Sequence, residues 1–389
     1  MGASHSHHRD TFLYMRIVFV IGSLGRAGAE RQMMMLASGL QTRGHIVSIV
    51  CLDGTGGFDE EARQRGLNVL ILEKGFPKLI RSMATYMRHV RDVKPHIVYA
   101  FLPKQHIVAT LLKPLSRKAK IVWGIRASQI DWKSYRLRAR VFFPIATKLS
   151  RWADLYIANS WAGSEYHISE GYESKKMRVI PNGIDAAVFH PDDKIRSNIR
   201  TEWKAGEEVP VIGILSRFDP MKGNDHFLEM ASRVVKQLPA AIFVAVGRHT
   251  DEQAEAYFER ALQLGLQGKI QLFKTTEQPQ QYLNGFDVLV VPSKSEGFPN
   301  TVLESLACGT PVVGTDVGDI KKIIGPKYGS AKFGEIGVLA EGVLCLLREH
   351  HTSEDRAQLS VDAVRNYSES AMVKSTDKEL TELCGLSIH

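Results

Sequence analysis

The chain has 389 residues, which is enough for two domains that each bury a hydrophobic core. Its composition, 44% hydrophobic and 24% charged, excludes a disordered or fibrous protein and is typical of a soluble α/β protein. No apolar run approaches the roughly 18 residues that a membrane-spanning helix needs. The four cysteines lie far apart without metal-ligand spacing, which is typical of free thiols in a reducing cytosol.

The first 14 residues carry three histidines and no strand or helix pattern. We expect a tag remnant or disordered leader there, with Met15 as the natural start. From Met15 onward, apolar strands alternate with amphipathic helices. The predicted strands cover 16–21, 46–52, 68–72, 96–101, 120–123 and 155–158 in the first half, and 211–215, 241–246, 270–273, 288–291 and 311–313 in the second.

This alternation predicts right-handed βαβ units and two doubly wound, Rossmann-like α/β domains that face each other across a cleft. Proline and an Asn-Gly pair at 181–183 signal the turn between them. We therefore expect a first domain over 15–183 and a second domain over 184–368. A C-terminal helix over 369–389 is expected to cross back and complete the first domain.

The loop after the first strand contains Gly25, Gly28 and Glu30 and opens a helix. Its glycines permit close approach of backbone, and a helix N-terminus favours an anion. The glycines fall three apart, which is not the dinucleotide fingerprint. A plain tight turn is an equally good interpretation of this loop taken alone.

Segment 131–152 is basic and aromatic, and Pro144 is expected to interrupt its helix. It fits a helix lying on an anionic bilayer, and it also fits a core-facing helix with a solvated basic side. Both interpretations stay open.

In the second domain, Arg217 and Lys222 lie five positions apart where a strand ends and a helix begins. Two cations at a helix entrance can bind a diphosphate, although a solvated loop with incidental charges is the alternative. Gly247 ends another strand at the same edge of the sheet.

The stretch 287–318 reads as strand, loop, short helix and strand, with Gly309 closing the helix. Glu296 lies on the loop and Glu304 on the helix. Ligands of open α/β sheets bind at the carboxyl ends of the strands, where carboxylates can accept hydrogen bonds from sugar and ribose hydroxyls. Thr301 with Glu304 also fits a capping box, which is the structural alternative.

This carboxylate pair resembles the signature of the retaining nucleotide-sugar glycosyltransferases of family 4, which have the two-domain GT-B fold. The resemblance covers nearly the whole chain from Met15 onward. It implies that Glu304 holds the nucleotide ribose and that Glu296 lies beside the donor sugar and its leaving phosphate. It also implies that Arg217 and Lys222 neutralise the leaving diphosphate.

The same resemblance assigns further residues to ligand binding. Its sugar-contacting loop matches Gly297, Phe298, Pro299 and Asn300, with Thr301 beside them. Gly247 matches the family's ligand-facing glycine. The loop with Gly25, Gly28 and Glu30 is similar to the family's Gly-Gly-Ala-Glu loop, with Ala27 in place of the first glycine. In the family that loop borders the acceptor and the donor phosphates.

Arg126 stands at about the position where many relatives have a histidine near the reacting sugar. A guanidinium stays protonated, so we do not expect proton transfer here. An acceptor hydroxyl or an acceptor phosphate is the expected ligand, and a surface salt bridge is the alternative.

The resemblance implies a retaining hexosyltransferase that needs neither metal nor cofactor. Its donor would be a nucleotide-diphosphate sugar, with UDP as the expected nucleotide, and its acceptor a lipid-linked sugar or a glycan. We expect a bacterial role in cell-surface polysaccharide or glycolipid synthesis, such as that of lipopolysaccharide. A UDP-sugar 2-epimerase of the same fold is the alternative, although we find no clear set of acid and base residues for elimination.

Charge is distributed unevenly between the two halves of the chain. Residues 1–180 carry 28 Lys and Arg against 13 Asp and Glu, a net +15, whereas the remainder carries 22 against 29, a net −7. No nucleic-acid module supports nucleic-acid binding, and an anionic membrane explains the split better. We expect a peripheral enzyme at the cytoplasmic face of the plasma membrane. Its contacts would be Lys78, Arg81, Arg88 and Arg91, or Lys133, Arg136, Arg138 and Arg140.

Overall fold

A computed structural model describes residues 14–25, 27–73, 75–116, 118–126, 137–274, 278–325, 330–349 and 352–386. The predicted leader, apart from residue 14, lies outside this range, as do Lys133 and Arg136. The strands are β1 Arg16–Ile21, β2 Ile46–Cys51, β3 Asn68–Ile71, β4 Ile97–Phe101, β5 Lys120–Ile125, β6 Leu155–Ala158, β7 Met177–Val179, β8 Val211–Leu215, β9 Ile242–Val246, β10 Ile270–Phe273, β11 Val288–Val291, β12 Val312–Thr315 and β13 Ser330–Ala331. The helices are α1 Gly28–Thr42, α2 Asp59–Gln64, α3 Phe76–Val93, α4 Pro103–Leu111, α5 Leu137–Ser150, α6 Trp161–Ser169, α7 Asp193–Glu202, α8 Asn224–Gln237, α9 Asp251–Gln263, α10 Pro279–Gly285, α11 Asn300–Ala307, α12 Ile320–Ile324, α13 Ile336–Arg348, α14 Ser353–Tyr367 and α15 Glu369–Leu383.

The strands form two parallel sheets, one in each half of the chain. The first has the order β3-β2-β1-β4-β5-β6-β7 and the second β10-β9-β8-β11-β12-β13. The order of the strands reverses between β1 and β4 in the first sheet and between β8 and β11 in the second. Ligands of such sheets bind at this reversal, beyond the carboxyl ends of the strands. The predicted fold class, two doubly wound α/β domains, is confirmed.

Each sheet is covered on both faces because its central strands are apolar on both sides. In β11, all four residues from Val288 to Val291 are buried. Two hydrophobic clusters occupy the two faces of the first sheet, and another two occupy those of the second. This burial on both faces explains why the strands read as continuous apolar runs in the sequence.

The structure corrects the prediction at Pro144, because α5 continues through this proline instead of ending there. Phe143 and Ala146, on either side of it, are buried in the first domain. We attribute the continuity to this packing, which offsets the lost backbone hydrogen bond. Strands β7 and β13 were not predicted, because three and two residues are too few to show a periodic pattern.

Helix α15 returns to the first domain and packs along α1. Val373 lies so close to α1 that a Cβ on Gly39 would meet its Cγ2 at 2.4 Å. Arg43 and His45 of the first domain both hydrogen-bond the Asp377 carboxylate. Although burial opposes ionisation, these two hydrogen bonds hold the pKa of Asp377 below its ordinary value. Among the described residues, no helix is long and apolar enough to cross a membrane.

Candidate functional site

A cavity of about 350 Å³ opens between the two domains at the carboxyl ends of β8, β9 and β11. The first domain contributes Ala27, Gly28 and Arg31, and the second domain contributes the rest of the lining. Ten of the fourteen predicted site residues line this cavity: Gly28, Arg217, Lys222, Gly247, Glu296, Phe298, Pro299, Asn300, Thr301 and Glu304. Four do not: Gly25, Glu30, Arg126 and Gly297.

Lys222 and Glu296 form an ion pair in the wall of the cavity. The Lys222 ammonium donates to both carboxylate oxygens at 2.8 Å, and the Ser293 hydroxyl donates to Oε1 at 2.6 Å. Only 11% of the Glu296 side chain is exposed. Because three donated hydrogen bonds hold this carboxylate, its orientation is set before any ligand binds.

Gly223 brings the Lys222 loop onto the Glu296 loop. Its φ of +71° is in the left-handed region, and a Cβ there would meet the carbonyl oxygen of Pro292 at 2.1 Å. The backbone N–H of Lys294 donates to the carbonyl of Met221 at 2.8 Å, which joins the two loops a second time. The Lys222–Glu296 ion pair therefore requires a glycine at position 223.

Arg217 lies just after β8, and its side chain is 60% exposed. Its guanidinium is 3.5 Å from Asp219, a solvated contact of the kind that contributes little stability. Next to it, a Cβ on Gly247 would meet the carbonyl oxygen of Ser216 at 1.7 Å. The Arg217 guanidinium is therefore an accessible cation, whereas hydrogen bonds to Glu296 hold the Lys222 ammonium in place.

Glu304 lies inside α11 and is 9% exposed. Burial raises the pKa of its carboxyl, and Arg31 of the first domain, whose Nη1 lies 3.3 Å from Oε1, opposes that rise. The capping-box alternative is wrong: Pro299 occupies the N-cap of α11 without a side-chain hydrogen bond, and Thr301 lies within the helix. Glu304 is therefore a buried carboxylate that faces the cavity.

Asn300 connects the two domains at the start of α11. Its Oδ1 accepts from Asn182 Nδ2 at 2.8 Å, and Asn182 Oδ1 in turn accepts from Arg126 at 3.1 Å. A Cβ on Gly28 would lie 2.8 Å from Asn300 Nδ2, so the missing side chain leaves room for the amide. Arg126 thus reaches the cavity only through Asn182 and Asn300.

The remaining predicted residues of the first domain, Gly25, Glu30 and Arg126, do not line the cavity. The Arg126 guanidinium stacks 4.3 Å from the ring centroid of Phe101, and burial lowers its pKa. Glu30 is half-buried in the first turn of α1, and burial raises the pKa of its carboxyl. Gly25 lies in the loop before that helix. The acceptor roles of these residues stay predictions.

The sequence interpretation missed four polar residues of the cavity, namely Arg31, Ser216, Arg248 and Ser293. Ser216 and Arg248 directly adjoin the chosen residues Arg217 and Gly247, and Ser293 lies three positions before Glu296, so proximity in sequence could have found these three. Arg31 contacts Glu304 across 273 positions of sequence, and no local pattern indicates that contact. In the part of the chain that the structure describes, no group of three His, Cys, Asp or Glu residues could hold a metal ion.

Two facing doubly wound domains with a charged cavity between them define the GT-B class of fold. Solved structures of that class superpose on nearly the whole chain. HepE of Anabaena, crystallised with UDP, has a TM-score of 0.83 and 19% sequence identity, over 95% of this chain and 100% of its own. WaaG, a glycosyltransferase involved in lipopolysaccharide biosynthesis, has a TM-score of 0.69 and 16% identity, over 95% and 100%. At these identities the likeness shows the fold alone.

Two family models match the chain, one in each domain. The model described as Glycosyltransferase Family 4 matches residues 26–188, and the model described as Glycosyl transferases group 1 matches residues 195–363. The chain belongs to the glycosyltransferase family that these two models describe. The matches give no support to the epimerase alternative.

Curated relatives include D-inositol 3-phosphate glycosyltransferases. The one from Geodermatophilus obscurus is 30% identical over 200 residues, which are 49% of this chain and 42% of the relative. The one from Segniliparus rotundus is 28% identical over 174 residues, which are 43% of this chain and 38% of the relative. The chain thus spans about four-tenths of the length of these relatives.

Proposed function

We propose that the protein is a retaining glycosyltransferase that moves a hexosyl unit from a nucleotide-diphosphate sugar to an acceptor hydroxyl. The observation that carries the proposal is the Lys222–Glu296 pair, held by Ser293 in the same cavity as Arg217 and Glu304. Carboxylates for sugar and ribose hydroxyls and cations for a diphosphate thus line one enclosed space.

In this proposal, Arg217 and Lys222 bind the diphosphate and stabilise the negative charge that grows on it as it leaves. Such preorganised electrostatic stabilisation is commonly the largest single contribution to catalysis. Glu304 accepts hydrogen bonds from the ribose, and the residues from Phe298 to Thr301 border the sugar. Two protein cations meet the charge of the diphosphate, so we propose a reaction that needs no metal or cofactor.

The bond between the anomeric carbon and the diphosphate oxygen breaks, and its electron pair leaves with the nucleoside diphosphate. The acceptor oxygen attacks the oxocarbenium-like sugar on the same face, and its proton passes to a leaving phosphate oxygen. Glu296 is already engaged by Lys222 and Ser293, which favours an electrostatic and orienting role over that of a nucleophile. Closure of the cleft excludes water and suppresses hydrolysis.

UDP as the nucleotide is supported by HepE, which was crystallised with UDP and with UDP-glucose. For the acceptor we propose a lipid-linked sugar or glycan. An acceptor that carries a phosphate is compatible with Arg126. The described partners of Arg126 carry no negative charge: they are Asn182, Tyr99 and the Phe101 ring. D-inositol 3-phosphate, named in the relatives, belongs in an acceptor panel for the same reason.

The test is a panel of nucleotide sugars screened for thermal stabilisation, followed by acceptor trials with the best donor. A ligand at 100 times its dissociation constant adds about 2.7 kcal/mol to the free energy of unfolding, so a true donor is readily detected. NMR of the anomeric configuration in the product then checks retention. Absence of stabilisation by every nucleotide sugar would contradict the proposal, and an inverted product would remove its retaining part.

We further propose that the enzyme is peripheral at the cytoplasmic membrane face, through helix α3. Lys78, Arg81, Arg88 and Arg91 are exposed on this helix. The same helix exposes 82% of Ile80 and 43% of Met87, which lie seven positions apart and so on one face. Apolar side chains beside cations are typical of helices that lie in an anionic interface. The other candidate contacts are Lys133, Arg136, Arg138 and Arg140. The first two lie outside the described residues, and the structure does not describe the side chains of the last two.

Sedimentation with anionic and with neutral vesicles, at low and at high salt, tests this surface. We expect binding to anionic vesicles that salt weakens, because each nearby Lys or Arg contributes about 1 kcal/mol of attraction. Changing Arg81 and Arg88 together to Glu is expected to abolish it. Changing Arg63 of α2 and Arg65, which directly follows that helix, to Glu is the matched control for net charge. Equal binding to both kinds of vesicle would contradict the proposal.

A further inference from the structure

A carboxylate of the second domain caps a helix of the first domain. Asp319, in the loop before α12, is 3% exposed. Its Oδ2 accepts from the backbone N–H of Trp161 at 2.8 Å, and its Oδ1 accepts from that of Ala162 at 3.0 Å. These two residues begin α6, so the contact joins the two domains beside the cleft.

The cap completes a set of hydrogen bonds that the first domain leaves unfinished. The first N–H groups of a helix have no partner within the helix. Within the first domain, the Ser160 hydroxyl accepts from the third of them, Gly163, at 3.0 Å. The first and second N–H groups are those that bond Asp319. A negative charge at this position is further stabilised by the helix dipole.

A second contact reinforces the same junction. The Lys322 ammonium, one helical turn after Asp319, lies 3.7 Å from the ring centroid of Trp161. A cation at that distance over an indole ring is attracted to it. Two different interactions therefore hold the start of α6 against the start of α12.

The loop that carries Asp319 also rests on the loop that carries Glu296. Gly318 has a φ of +57°, and a Cβ there would lie 2.8 Å from the carbonyl oxygen of Glu296. No other residue type fits without displacing that backbone. A shift of Asp319 relative to α6 would therefore press on the backbone of Glu296, whose side-chain carboxylate accepts from Lys222.

We propose that Asp319 is a positioning residue for sugar transfer. It fixes the first domain, with the acceptor, relative to the Glu296 loop, and it acts through α6 and Gly318. This inference rests on the proposed function. Asp319 contacts neither the donor nor the acceptor in this proposal. Its substitution should therefore reduce turnover more than it reduces nucleotide binding.

The variants that test it are Asp319→Ala, Asp319→Asn and Lys322→Ala. Two neighbours provide matched controls, because Asp316 and Lys321 pair with each other at 3.3 Å within the second domain. Asp316→Ala and Lys321→Ala therefore remove the same kinds of group from the same segment without touching α6. Thermal unfolding of each variant shows that the fold is retained.

With an identified donor and acceptor, we expect Asp319→Ala to lower kcat by about a hundredfold, as misplacement by about 1 Å does elsewhere. The donor KM and the dissociation constant of UDP should change less than about threefold, because most of the cavity belongs to the second domain. Asp319→Asn, which keeps one acceptor oxygen, should retain part of the activity. Lys322→Ala should have a smaller effect in the same direction. The controls should match the wild type.

Small-angle scattering of the ligand-free protein provides a readout independent of activity. We expect a larger radius of gyration for Asp319→Ala than for Asp316→Ala, because the domains lose a contact. Equal radii, or a loss of UDP affinity that parallels the loss of kcat, would overturn the inference. If the wild type binds no nucleotide sugar, the proposed function fails, while the scattering comparison still decides whether Asp319 joins the domains.

Discussion

Within the second domain, Lys222, Ser293 and Glu296 are joined by hydrogen bonds of 2.6 to 2.8 Å, and Gly223 packs their loops together. Among the described residues, the first domain contributes Ala27, Gly28 and Arg31 to the cavity, and the Arg31 guanidinium lies 3.3 Å from the Glu304 carboxylate of the second domain. Under the proposed function, the second domain forms the donor half of the cleft, and its own short loops hold that half together. The first domain forms the acceptor half, whose geometry depends on how the two domains are placed.

This difference has a functional consequence under the proposed mechanism. A diphosphate needs charges in fixed positions before it arrives, because rearrangement would consume binding energy. The acceptor half instead is formed by contacts that depend on the other domain, such as Asn182 with Asn300 and Arg31 with Glu304. We therefore expect large losses of turnover from substitutions in the donor half, and from those at Asp319, whose loop rests on the Glu296 loop. Substitutions in the Asn182–Asn300 and Arg31–Glu304 contacts should act in smaller and condition-dependent ways.

The largest effect is expected for Lys222→Ala. This change removes a preorganised cation from the leaving group and breaks the ion pair with the nearly buried Glu296. Turnover should fall by on the order of a hundredfold or more, as on removal of one transition-state donor. Steady-state kinetics with the identified donor measures it. Lys294→Ala, which changes an exposed lysine on the Glu296 loop, is the control, and equal activity of the two variants would contradict the role of Lys222.

Glu304→Gln is expected to weaken binding of the free nucleotide by about ten- to a hundredfold. The reason is the loss of a charged acceptor, since hydrogen bonds to charged groups contribute about 1.5–3 kcal/mol. Calorimetric titration with UDP measures the dissociation constant. Unchanged affinity would show that Glu304 stabilises the domain junction through Arg31 and does not hold the ribose.

Arg31→Gln should change the pH dependence of UDP binding more than it changes the UDP affinity at pH 8. Burial raises the pKa of Glu304 and Arg31 opposes the rise, so removing Arg31 raises this pKa further. Protonation removes the charged acceptor, so affinity falls as the pH falls through the pKa. The variant should therefore lose UDP affinity at a higher pH than the wild type.

The phosphates of UDP titrate in the same range, so the comparison is between the profiles of the two proteins. Arg63→Gln, on an exposed face of α2, should follow the wild type. Parallel profiles for Arg31→Gln and the wild type would show that Arg31 does not control the protonation of Glu304.

The same contrast explains which features could be predicted from the sequence. Buried runs such as Val288–Val291 and their alternation with helices are local, and they predicted both sheets. Glu296, Lys222 and Arg217 lie on loops that follow such strands, so the strand pattern predicted that they lie at one edge of the sheet. Their joint role was implied by the family resemblance.

Contacts that bridge the domains could not be predicted in this way. Arg31 and Glu304 are 273 positions apart, and Asp319 and Trp161 are 158 apart. Whether they meet depends on the placement of one folded domain against the other, which no local pattern encodes. Arg126 illustrates the limit: its position at a strand end was evident, but its engagement with Asn182 depends on the linker between the domains.

Gly28→Ala is expected to have the smallest effect, and it tests the comparison directly. The added methyl would lie 2.8 Å from Asn300 Nδ2, which is the end of a side chain and can move at the expense of its hydrogen bond with Asn182. A neutral hydrogen bond contributes about 1 kcal/mol, so kcat/KM should fall about fivefold. Asn182→Ala should have a similar effect, and the double variant should lose little more, because both changes remove the same bond. Gly223→Ala in the donor half should instead lower the unfolding temperature by several degrees and reduce turnover much more than Gly28→Ala does, although less than Lys222→Ala does, since its methyl would meet the Pro292 backbone at 2.1 Å at a φ of +71°. If the two glycine variants behave alike, the donor half is no more rigid than the acceptor half.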